Sequence, residues 1–208
     1  MNVRRLASRL AVVSTAAALV TSAVAVPAQA ALGTKSLASV LYANQSGFDT
    51  NPHDYDILRN AIKTTLKVKP NSPVKVLADG NVALTAFLPS DAAFQELVRD
   101  ITGAKKAPSE RAAYNAVAAL GIPTVERVLL YHVVPGATIT KAAALKSDDV
   151  RLKTANGQTF RVDITSYVSL VDADQTDRNP RLISFDINAG NKQIAHGIDR
   201  VLRPINLP

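Results

Sequence analysis

Tyr55, Leu58, Ile62 and Leu66 stand at the i, i+3, i+7 intervals that place apolar side chains on one face of a helix. The segment 51–66 is therefore predicted helical, with Asn51 as its cap and Pro52 at its first position. Before it, 36–43 reads as a short helix capped by Ser36. Residues 67–81 read as a loop leading into VALTAFL (82–88), a continuous apolar run that predicts a buried strand. Pro89 ends the strand and Ser90 starts a helix whose stripe is Phe94, Leu97, Val98 and Ile101, with Asp91 near its positive end. A helix over 109–121 is capped by Ser109 and closed by Gly121. The segment 124–134 starts helical at Thr124 and turns strand-like before Pro135-Gly136.

Downstream the period changes. Asn156-Gly157 sits between two candidate strands, a hairpin signal, and three further apolar segments follow: YVSLVDA, LISFDIN and the run around His196. Helices first and strands after predict an α+β fold, a sheet packed against helices. In QIAHGIDRVL, strand alternation puts Ile194, His196 and Ile198 on one face, and Ala195, Gly197, Asp199 and Val201 on the other. His196 and Asp199 then cannot act as a pair. A core histidine bonded to backbone is the expectation.

The first 30 residues stand apart. Arg4, Arg5 and Arg9 precede an apolar run and the small residues Ala28 and Ala30, the three parts of a secretory signal peptide cleaved near Ala30. The run is about 16 residues and diluted by hydroxyls, short of the roughly 20 a span needs. What remains, residues 31–208, is expected to be one exported domain with no membrane span. Discounting the leader's three arginines from 24 basic residues against 17 acidic leaves a net charge of +4. That modest balance lacks the concentrated basic face of a nucleic-acid binder. No cysteine is present, which rules out disulfides and thiol catalysis. Asn44-Gln45-Ser46 has the N-glycosylation pattern.

Catalytic and metal motifs are equally scarce. Ser90, His132 and Asp91 make a triad on paper, but Ser90 lacks the glycines of a nucleophile elbow and already has a capping role. Tyr131 and His132 close an apolar helix where each ring can be buried with its polar tip satisfied. There is no H-E-x-x-H pattern. Asp172, Asp174 and Asp177 do not follow the calcium-loop spacing, and that stretch reads as a solvated hairpin loop. No metal or cofactor is expected.

Three segments carry a resemblance. TAFLPSDAAF, with Thr85, Pro89, Ser90, Asp91 and Phe94, LLYHVVPG, with Tyr131 and His132, and IAHGIDRVLRP, with His196 and Asp199, resemble in order and spacing the signature segments of the fasciclin (FAS1) domain family. Arg203 departs from the pattern, standing where an apolar residue is common. The resemblance implies a β-sandwich or wedge of mostly antiparallel strands packed with several α-helices. It implies a non-enzymatic module of cell-surface or matrix adhesion, acting through protein-protein contacts with an extracellular protein or glycan. Tyr131 and His132 would be the partner-binding residues, and the other signature residues packing elements. The alternative function is a soluble carrier of a small molecule or glycan.

Overall fold

The structure, a computed structural model, describes residues 31–43 and 46–205. The leader expected over residues 1–30, and Asn44-Gln45 of the glycosylation pattern, lie outside the described residues.

Hydroxyl side chains start four of the helices. Ser36 accepts from the Ser39 N–H (3.2 Å) at α1 (Leu37–Ala43), and Ser90 from Ala93 N–H (3.3 Å) at α3 (Asp91–Thr102). Ser109 does the same for α4 (Glu110–Ala119), and Thr140 for α6 (Lys141–Ala144), a short helix with no sequence signal strong enough to predict it. Each hydroxyl satisfies one of the N–H groups that a helix start leaves open. α5 (Ile122–Tyr131) begins two residues before Thr124, because Gly121 turns the chain at φ 83° and Pro123 fits the first turn.

α2 (Asp56–Val68) starts later than the sequence suggests. Asn51 instead closes a small turn onto the His53 N–H, and the first N–H groups of α2 go to Asp91. Its carboxylate accepts from Asp56 at 3.0 Å and Ile57 at 2.9 Å. The predicted loop between α2 and the first strand also holds a 3₁₀ turn, Pro73–Ala78, with Ser72 at its start.

Two sheets follow. β2 (Val133–Pro135), β1 (Leu84–Pro89), β7 (Gln193–Ile198) and β6 (Leu182–Ile187) form one, in that order. β3 (Arg151–Lys153), β4 (Thr159–Ile164) and β5 (Val168–Val171) form the other. The central pair β1–β7 is parallel and the remaining pairs are antiparallel. Gly157 closes the β3–β4 hairpin at φ 90°, as the Asn-Gly signal requires.

Alternation along β1 divides the interior in two. Leu84, Ala86 and Leu88 join a helical core with Ile57, Ile62, Phe94, Leu97, Val117 and Val128, while Phe87 faces a second core with Tyr131, Phe160, Leu170 and Ile198. β7 follows the same rule, Ala195 toward the helices and Ile198 toward the second sheet. The layers are thus helices, four-stranded sheet, three-stranded sheet, an α+β architecture. Among the described residues no helix is long and apolar enough to cross a membrane.

Candidate functional site

The histidines and their neighbours are held inside the fold. His132 is 4% exposed. Its Nε2 accepts from the Leu202 N–H at 2.9 Å, so the proton sits on Nδ1 and is donated to the Val128 carbonyl at 2.7 Å. Burial pushes its pKa down to about 4, against the pull of the Val128 carbonyl. Tyr131, fully buried, donates to the Thr159 carbonyl at 3.0 Å and meets Phe160 edge-on; burial pushes its hydroxyl up to about 12. In this conformation neither ring is open to the surface.

His196 lies between Phe87 and Phe185, with ring centroids at 5.9 and 5.6 Å. Nδ1 accepts from Asp186 N–H (3.3 Å) and Nε2 donates to the Ile139 carbonyl (2.8 Å). Asp199 points elsewhere, accepting from Arg181 N–H and pairing with Arg178 at 2.8 Å. Thr85 adds to the same hold on the chain after β2, donating to the Ala137 carbonyl and accepting from the Ile139 N–H, both at 2.8 Å. Ser90, Asp91 and His132 do not assemble as a triad: Ser90 caps α3, Asp91 caps α2, and both nitrogens of His132 are taken by backbone. Phe94 packs in the helical core.

Concave surface is found elsewhere. The crevice between the helices, lined by Leu58, Phe94, Leu97, Val128 and His132, encloses only about 20 Å³, room for little more than a water. Two open clefts are larger. One, of about 650 Å³, is lined by Tyr42, Phe48, Arg59, Asn60, Lys63 and Arg111. Lys63 lies over the Tyr42 ring at 5.3 Å and Arg111 over Phe48 at 5.1 Å. The other, of about 320 Å³, includes Lys141, Leu145, Tyr167, Leu182 and Phe185. Lys141 lies over Phe185 at 5.0 Å, and Arg181 stacks on Tyr167 at 3.7 Å. The described cation–ring pairs therefore all flank these two clefts. Tyr42 and Phe48 are backed by the helical core, and Phe185 by the core between the sheets.

The family model of the fasciclin domain matches residues 55–204. The chain belongs to the fasciclin domain family. It is also similar to a solved FAS1 domain pair from the insect cell adhesion molecule fasciclin I, at 17% identity and a TM-score of 0.48 over 74% of this chain and 48% of that one. The chain thus spans about half the length of that pair. No curated protein matches the sequence.

This fasciclin domain carries one charged feature that its sequence conceals. Asp172, Asp174 and Asp177 do not form a solvated loop. Asp174 is 2% exposed, and Arg203, at 5%, reaches it at 3.3 Å, Asp177 at 2.9 Å and Asp100 at 2.6 Å. Asp172 accepts the Arg203 N–H at 2.7 Å, and burial pushes its carboxyl up to about 6 against that bond. Arg200 joins from the side, bridging Asp100 and Asp177. The arginine that departs from the family pattern has brought its own counterions. Tyr167 and Arg181 were also missed, because neither stands in a recognisable motif; their one signal is an aromatic and a cation on adjoining strand edges.

Proposed function

We propose that this fasciclin domain is an exported, non-enzymatic binding module that links two extracellular components through two separate faces. The observation that carries the reading is the pair of open clefts, each edged by aromatic rings under cations and each backed by a different core. Tyrosine and arginine concentrate at productive interfaces because a ring or a planar cation buries much area at little entropic cost. The cations favour acidic partners, such as acidic glycans or acidic protein segments of a cell surface or matrix. Two separate faces allow one domain to bridge two bodies, and these clefts supply them. The leader-like residues 1–30 support export. The alternative, a carrier of a small molecule or glycan, would use the same open clefts, which have the size of ligand sites.

The test immobilises the protein and measures retention of cells or matrix fragments, beside their bridging by the free protein. Arg181→Glu with Lys141→Glu should disable one face, and Lys63→Glu with Arg111→Glu the other. Each pair should lower retention of its own partner, and either should abolish bridging. Tyr131→Phe, which alters only an internal bond, should leave retention unchanged. Retention and bridging unaffected by both pairs would overturn the reading.

A further inference from the structure

The starts of α2, α3 and α4 converge on a group of carboxylates. Asp91 spends both oxygens on the first N–H groups of α2, and its own N–H donates to the Asp54 carbonyl at 3.0 Å. Glu110, only 1% exposed, accepts the Asp49 N–H on Oε2 at 2.7 Å. That leaves Glu110 Oε1 buried with no hydrogen-bond partner. The helix ends do not supply one, because Ser90 and Ser109 already cap α3 and α4. Asp54 is bonded to Asp91 through a proton that the two carboxyls share, because burial and then the bond to Asp54 push Asp91 up to about 8. Arg59 is engaged with Asp56 at 2.7 Å. One oxygen from each of Asp54, Asp91 and Glu110 lies within 4.8 Å of the other two.

An orphaned carboxylate oxygen in the interior is costly, and two carboxyls this close are tolerated only by holding a proton between them. A compact dication would displace that proton and give Glu110 Oε1 a partner as well. We propose that Asp54, Asp91 and Glu110 bind a divalent cation of the hard, oxygen-preferring class, with calcium the best fit. Calcium accepts oxygens at about 2.3–2.6 Å in variable geometry, which suits carboxylates already fixed by backbone N–H groups, whereas magnesium, at about 2.0–2.1 Å, demands a near-ideal octahedron. Exposed Asp49, with a carboxylate oxygen within 4.8 Å of one on Asp54, marks the approach from solvent.

The test uses the purified protein, stripped with a chelator. Calorimetric titration with calcium chloride at neutral pH is expected to show one saturable site, with magnesium chloride binding more weakly. Terbium chloride should give luminescence sensitised by Tyr55, whose ring feels the charges of Asp54 and Asp91, and calcium should displace it. Glu110→Gln and Asp54→Asn keep the side-chain size and remove one ligand charge each. Each should weaken calcium binding about tenfold or more, with the fold checked by circular dichroism. No calcium binding by the parent protein, or equal binding by both variants, would overturn the assignment. Because two variants are used, a failure of one to fold leaves the other to decide.

Discussion

His132 Nε2 accepts the Leu202 N–H at 2.9 Å across 70 residues of chain, and so fastens the end of α5 to the segment after β7. The bond exists only for the neutral ring. Folded His132 gains a second proton near pH 4, the unfolded chain near pH 6.5. Between these values the unfolded state binds more protons, so the contribution to stability is complete above about pH 6.5 and drains away as the pH falls toward 4. Asp172, pushed up to about 6, works in the opposite direction and must be cancelled by comparison. His132→Gln keeps a donor for the Val128 carbonyl and an acceptor for the Leu202 N–H but does not titrate. The stability difference between the two proteins should therefore narrow by about 3 kcal/mol from pH 7 to pH 4, measured by urea unfolding. A constant difference would show that the ring is hydrated.

The second histidine makes a simpler test. His196→Ala removes an acceptor for Asp186 N–H and a donor for the Ile139 carbonyl. Stability should drop by roughly 1–3 kcal/mol. An unchanged thermal midpoint would mean that water replaces the ring without cost.

Arg203→Leu would leave Asp174 buried without its cation. Removing one member of a buried ion pair costs about 3–5 kcal/mol, because the stranded charge loses both water and partner. Denaturant midpoints should record that loss. A change below about 1 kcal/mol, the value of surface pairs, would place the cluster in contact with solvent.

Gly80→Ala tests a backbone contact. A Cβ there would overlap the carbonyl oxygen of Thr34, and neither atom belongs to a side chain that can swing aside. The segment before α1 should lift from its seat, at a cost of about 1–3 kcal/mol. Faster limited proteolysis near Thr34 is the readout, and an unchanged cleavage rate would count against the contact.

What could be read from the sequence was whatever depends on near neighbours. Ser90 and Ser109 each accept an N–H three residues on at the start of a helix, and the alternation from Ile194 to Ile198 separates His196 from Asp199 without reference to any other segment. Tyr131 and His132 illustrate the limit. Their burial was foreseeable from the apolar helix they end, but the resemblance gave them a partner-binding role, and the pattern alone offers no measure of access. Asp91 stands in the first turn of its own helix as expected, but its carboxylate also caps α2, at Asp56 and Ile57, 34–35 residues away. Arg203 looked like a departure because Asp174, 29 residues earlier, is brought to it only by the fold. The two clefts and the convergence of Asp54, Asp91 and Glu110 are equally invisible along the chain.

The pairing of β1 with β7 sets the order in which this protein can fold. The first described helix is tied to the last strand as well, the Leu37 N–H donating to the Gln193 side chain across 156 residues. A chain made from its N-terminus forward cannot close its central sheet until β7 has emerged. Until then β1 can pair only with β2, its other edge stays open, and the helical core lacks Ala195 and Val201. Contacts this distant in sequence make for slow, late folding. A chain that stays open until its last strand is made is also one that can be threaded through a narrow channel before it closes.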